Sequence, residues 1–175
     1  MSKNVKIGIN LFILLSIFLF QGCVNEDEPS GGNIEINDML PQFSVQMNDG
    51  NIITTQDFLG KIGVIMFFNT NCPDCREELP VIQELWEKYK ENDEILIVPI
   101  SRDESLEEIL EYWTNNNLNL PFSPQNNREV YSLFASSIIP RIYISDKMGK
   151  IVFMSGDDDM PSYKQLSNFI ESILL

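Results

Sequence analysis

The sequence predicts an α/β domain in which a mixed β-sheet carries helices on both faces and follows an N-terminal β-hairpin. Three observations lead there. Two continuously apolar runs, Ile62 to Phe68 and Ile95 to Ile100, are each followed by a segment of helical spacing, as buried strands joined by helices require. Ahead of them, the alternation Phe43, Val45, Met47 stops at the turn signal Asn48-Asp49-Gly50 and resumes as Ile52-Ile53-Thr54, which reads as a hairpin. After them, two further strand patterns and a closing helix complete a sheet that combines crossover and hairpin connections.

The elements follow in order. Lys3 and Lys6 precede an apolar stretch from Ile7 to Phe20 that ends at Gln21-Gly22-Cys23. A charged start, an apolar core and a small residue at the cut are the parts of a signal peptide over residues 1–22. The stretch is shorter than the ~20 residues a spanning helix needs. Residues 23–38 are acidic and rich in Gly, Ser and Asn, which predicts a flexible tether, and residues 39–175 make one domain of ordinary size.

Within that domain Leu79, Ile82, Leu85, Trp86 and Tyr89 recur at helical spacing after the first buried strand, with Pro80 expected to kink the helix. Ser105-Leu106-Glu107-Glu108 is a capping box opening a helix with Ile109, Leu110 and Trp113, and Asn115-Asn116-Asn117 closes it. Leu120 to Ser123 reads as a short edge segment stopped by Pro124, and Glu129 to Ala135 as a brief helix. Strands Arg141 to Ser145 and Lys150 to Met154 flank a turn over Asp146 to Gly149, and Ser162 to Leu174 is the last helix.

The chemistry concentrates in Cys72-Pro73-Asp74-Cys75, at a strand-to-helix junction. Two thiols with two residues between them in that context read as a dithiol/disulfide redox pair. A cysteine in the first helical turn faces unpaired backbone N–H groups and the positive end of the helix dipole, which favour thiolate. Cys72 is then the nucleophile, and Cys75, one turn along, resolves the mixed disulfide. Pro73 suits the first turn, while the Asp74 carboxylate suits the helix N-terminus but opposes a second anion beside it.

Composition removes the competitors. The chain has 3 cysteines and no histidine, so a four-ligand zinc site, covalent haem attachment and Ser-His or Cys-His catalysis lack their parts. A merely structural disulfide across so small a loop would restrict the unfolded chain little. The 12 Lys+Arg against 26 Asp+Glu give a net charge of −14; removing Lys3 and Lys6 with residues 1–22 leaves 10 against 26, a net −16. Such a surface repels phosphate backbones, so no nucleic-acid partner is expected.

The order of strand, Cys-x-x-Cys, helix, strand, helix, Ile-Pro, hairpin and helix resembles the thioredoxin fold, and more closely the membrane-tethered TlpA/ResA-like thioredoxins. The resemblance covers most of residues 39–175. Its carriers are the block from Phe67 to Pro80, with the two cysteines, Arg76 and Glu78, and the block from Ile138 to Asp146, with Pro140 lying 65 residues after Cys75. It implies a cis Ile139-Pro140 bond beside the cysteines, with the Ile139 backbone and Pro140 holding a substrate polypeptide in an extended pose. It also implies that Glu78, three residues after Cys75, manages the proton of that thiol, provided burial raises its pKa. Gly22-Cys23 resembles the end of a lipobox, which makes Cys23 a lipid-modified N-terminus, although Phe20 stands where Leu is usual.

The chain departs from the family at three positions: Asn71 replaces the usual Trp before the first cysteine, Met66 replaces thioredoxin's buried aspartate, and Asp74 replaces the proline common before the second cysteine. The expectation is an extracytoplasmic thiol-disulfide oxidoreductase, lipid-anchored in the cell envelope and facing the periplasm or exterior, that reduces or isomerises protein disulfides. Its redox group is the Cys72-Cys75 disulfide, with no other cofactor and no metal. Its partners are disulfide-containing or dithiol proteins and a membrane thiol-disulfide electron donor. Two alternatives stand beside it. A thiol peroxidase of the peroxiredoxin branch would carry Thr where Asn69 is, and a redox-inert module would only hold a client at Ile139 and Pro140.

Overall fold

The computed structural model describes residues 33–174. The expected signal peptide, Cys23 and the tether up to residue 32 lie outside the described residues. Among those described, no helix is long and apolar enough to cross a membrane.

The elements in chain order are β1 (Ser44–Gln46), β2 (Ile52–Thr54), a 3-10 turn (Thr55–Phe58), β3 (Ile62–Phe68), α1 (Pro73–Tyr89), β4 (Ile95–Ser101), α2 (Leu106–Asn115), α3 (Glu129–Ser132), β5 (Arg141–Ser145), β6 (Ile151–Ser155) and α4 (Tyr163–Leu174). Strands β1 and β2 form the antiparallel hairpin, turned at Gly50 with φ +89°. The main sheet has the order β4-β3-β5-β6, in which β3 runs parallel to β4 and antiparallel to β5, and β5 antiparallel to β6. All seven residues of β3 are buried, because the strand is covered on both faces and paired on both edges.

Alternation along β3 sends side chains to two different layers. Phe68 packs against Trp113 of α2, and Phe153, on the sheet face of Val64, against Phe169 of α4. Helix α4 is tied to α1 by Lys88 and Tyr89, which both reach the Glu171 carboxylate. On the other face Phe67 meets Tyr131 of α3, Phe134 and Tyr143, and Phe43 bridges Phe134 to Phe58. The two faces are therefore unequal: long helices cover one, and the four-residue α3, the 3-10 turn and the N-terminal segment cover the other. Gly63 is required at this join, since a Cβ there would lie 2.2 Å from the Phe58 ring and 2.6 Å from Ser145 Oγ.

Several local expectations are refined. Helix α1 starts at Pro73 and runs through the exposed Pro80 as one element. The Ser105 capping box forms as expected. Helix α3 ends at Ser132 rather than Ala135, where the chain tightens into i→i−3 bonds from Leu133 N–H to the Val130 carbonyl and from Phe134 N–H to the Tyr131 carbonyl. Residues 34–38, assigned from composition to the tether, lie against the domain instead: Ile34 N–H donates to the Phe134 carbonyl, Asn37 N–H to the Ile151 carbonyl, and Ile151 N–H to the Asp38 carbonyl. Backbone groups make these bonds, and the half-buried Ile34 side chain packs against the core beside them.

Candidate active site

Strand β3 delivers the chain to the site, and a tight turn over Asn69 to Asn71 redirects it into α1. Asn71 N–H donates to Asn69 Oδ1 at 2.9 Å and Cys72 N–H to the Asn69 carbonyl at 3.0 Å. Cys72 is the N-cap of α1 with extended backbone (φ −84°, ψ 122°), and its carbonyl accepts the first intrahelical bond, from Arg76 N–H. Pro73 occupies the first turn, where its missing N–H deprives the helix of nothing. This placement sets Cys72 at the N-terminus of the helix, beside the first-turn N–H groups that have no intrahelical partner.

The two thiols are free and differ in environment. Cys72 is half-buried and Cys75 fully buried. Burial pushes the Cys75 thiol well above the ordinary thiol range, and the neighbouring Cys72 sulfur pushes in the same direction. Cys72 thus presents its sulfur to solvent, whereas Cys75 needs help to lose its proton.

Across from the helix, the Ile139-Pro140 bond is cis and both residues are buried. Cys72 Sγ donates to the Ile139 carbonyl at 3.5 Å, so the sequence-distant Ile-Pro pair and the dithiol share one site. The residue before the pair, Ile138, has φ +74°, a left-handed conformation that a β-branched side chain adopts only under strain. Its carbonyl is held by the hydroxyl of buried Tyr131, which donates at 2.8 Å.

Glu78 lies within the buried stripe of α1, between Cys75 and Ile82, and is 3% exposed. Its Oε1 has no hydrogen-bond partner among the described residues, and burial raises its pKa to about 7. A carboxyl one turn from a buried thiol, titrating near neutrality, is suited to exchange protons with it. Neighbouring Glu77 is exposed.

Two residues that border the site, Glu104 and Tyr131, have no sequence signal of their own, and two others, Thr70 and Arg76, lie in the block around the cysteines without a role that the sequence assigns. The Glu104 carboxylate, 3% exposed on the turn between β4 and α2, accepts from Thr70 N–H and Thr70 Oγ1–H, each at 2.6 Å. Arg76 Nε donates to the Thr70 carbonyl while its guanidinium lies over the Tyr112 ring. Among the described residues, no cluster of side chains has the makings of a metal site.

The profile of the AhpC/TSA family matches residues 36–154. The thiol-disulfide oxidoreductase ResA of Bacillus cereus (strain ATCC 10987 / NRS 248) is 28% identical over 134 residues, which span 77% of this chain and 75% of that protein. Among solved structures, a candidate protein disulfide isomerase from Bacteroides thetaiotaomicron superposes with a TM-score of 0.72 at 26% identity, covering 81% of this chain and 89% of the other. A thioredoxin-family thiol:disulfide interchange protein from Chlorobium tepidum TLS superposes with a TM-score of 0.68 at 20% identity over 81% of this chain and 99% of the other. The fold is thioredoxin-like.

Proposed function

The chain belongs to the AhpC/TSA family, and from that premise we propose that it is an extracytoplasmic thiol-disulfide oxidoreductase that reduces or isomerises protein disulfides through Cys72 and Cys75. The observation that carries this reading is the asymmetry of the pair: an accessible Cys72 sulfur at a helix N-terminus, 3.5 Å from the Ile139 carbonyl, backed by a buried Cys75 and a buried Glu78.

The Cys72 thiolate attacks one sulfur of a substrate disulfide, forming a mixed disulfide and expelling the other substrate sulfur as a thiolate, which takes up a proton. The Ile139 backbone and Pro140 hold the extended substrate segment alongside. Cys75 then transfers its proton to the Glu78 carboxylate and attacks Cys72 Sγ. The Cys72-Cys75 disulfide forms, the substrate leaves as a dithiol, and two electrons have passed to it. A membrane thiol-disulfide donor restores the pair. In this reading Cys23 carries the lipid that holds the domain at a membrane of the cell envelope, facing the periplasm or exterior, where clients and electron donor are both met.

The test uses Cys75→Ser protein, which retains the attacking sulfur and lacks the resolving one. Mixed with disulfide-bonded protein substrates it accumulates a dithiothreitol-sensitive covalent adduct, whereas wild type turns over and Cys72→Ser does neither. Absence of both adduct and turnover with protein substrates would sink the proposal. Loss of membrane association in full-length Cys23→Ser tests the anchor separately.

A further inference from the structure

Glu104 is a buried carboxylate at the edge of the dithiol site. Its carboxylate has no Lys or Arg partner within ion-pair distance among the described residues. Taking an anion out of water is expensive unless hydrogen bonds compensate it. What the carboxylate does hold is the turn that ends in Cys72. Oε2 accepts Thr70 N–H, Oε1 accepts Thr70 Oγ1–H, and Asn71 Nδ2 donates to the same Oε1 at 3.4 Å. The anchor is itself fixed: Glu104 N–H donates to Ser101 Oγ at 2.8 Å, and its carbonyl accepts from Gln125 N–H at 3.1 Å. With Arg76 on the Thr70 carbonyl, every polar group of the residue two positions before Cys72 is engaged.

We propose that Glu104, acting through Thr70, is a positioning residue for thiol-disulfide exchange at Cys72: it clamps the Asn69-to-Asn71 turn so that the attacking sulfur stays at the helix N-terminus facing the Ile139 carbonyl. The inference rests on Cys72 being the nucleophile. An ionised carboxylate accepts only, and here each of its oxygens takes one of the two Thr70 donors. Glutamine keeps the volume, but its NH2 takes the place of the acceptor Oε1, so the Thr70 hydroxyl has to turn from donating to accepting and Asn71 Nδ2–H faces another donor. A loosened turn lets the sulfur drift from the attack line, and small misplacements of reacting atoms cost rate steeply.

The experiment follows Cys72 alone, in a Cys75→Ser background, through its second-order rate constant with 5,5′-dithiobis(2-nitrobenzoate) up to pH 10, where the limiting rate reports the thiolate's placement. Glu104→Gln and Thr70→Val are each expected to lower that limiting rate about tenfold, and Thr70→Ser, which keeps the hydroxyl, to recover most of the loss. The Glu104→Gln/Thr70→Val pair is expected to be no slower than either single variant, since both break one clamp. Limiting rates within twofold of the parent, whatever happens to the melting temperature, would overturn the inference. So would a faster Glu104→Gln with an unchanged Thr70→Val, because removing a negative charge by itself only eases the approach of the anionic disulfide reagent. If Glu104→Gln does not fold, the Thr70→Val and Thr70→Ser comparison decides. A parent Cys72 that does not react defeats the nucleophile assignment instead, which keeps the two failures distinct.

Discussion

Glu78 and Glu104 are buried to the same extent, 3% exposed each, one on the helix that carries the dithiol and one against the turn before it, and their chemistry differs because their partners do. Glu104 meets donors at both oxygens and stands at the start of a helix. Glu78 has an oxygen with no partner, and its pKa rises to about 7. Burial by itself therefore does not identify a reactive carboxyl. An unsatisfied buried one is poised to change protonation state, while a satisfied one fixes geometry.

The comparison breaks most visibly if the satisfied carboxylate is removed. Glu104→Ala leaves the Thr70 N–H and hydroxyl buried without acceptors, and the loss is expected to be about 3 kcal/mol of folding stability, read from denaturant midpoints at constant m. A loss below about 1 kcal/mol would mean that water replaces the carboxylate freely and that the clamp is dispensable.

Glu78→Gln should act in the opposite direction on stability and against activity. The folded-state pKa lies near 7, above the ordinary 4.5, so the folded protein holds this proton more tightly than the unfolded chain. Wild-type stability consequently falls as pH rises from about 4.5 through about 7 and is flat beyond. The glutamine variant lacks that fall and is expected to gain roughly 2 kcal/mol relative to wild type at pH 8 and little at pH 4. Resolution of the mixed disulfide at pH 7, followed by quenched-flow alkylation, should slow about a hundredfold in the same variant. Parallel pH–stability curves for the two proteins would remove Glu78 as the proton acceptor.

The same contrast explains what was legible beforehand. β3, β4, the capped start of α2 and the hairpin turn are written in local periodicity and turn chemistry, and they formed where the pattern put them. The burial of Glu78 was half legible: it shares the face of Cys75, Ile82 and Tyr89, a stripe that spacing marks as inward, but spacing says nothing of whether a partner waits there. Glu104 was illegible, because it adjoins a surface capping box and its partner Thr70 is 34 residues away. Residues 34–38 misled for a related reason: the acidic, polar composition of the stretch hides one apolar anchor, Ile34, and backbone hydrogen bonds that composition does not register.

The remaining wall of the site sharpens the contrast at a smaller scale. Tyr131→Phe removes the hydroxyl that holds the Ile138 carbonyl and leaves a buried ring in place, an expected loss of about 1 kcal/mol. Ile138→Gly should move stability the other way. At φ +74° isoleucine is strained and glycine is not, while the side chain is 43% exposed and contributes little burial. The relief is partly offset by the greater freedom of glycine in the unfolded chain, so the net gain is expected to be about 0.5 kcal/mol, a rise of a few degrees in melting temperature. If the Ile138→Gly protein melts lower than wild type, the side chain itself supports the turn. The strain at this position would then be offset by packing around Ile138, and the Tyr131 hydroxyl would be the lesser of its two restraints.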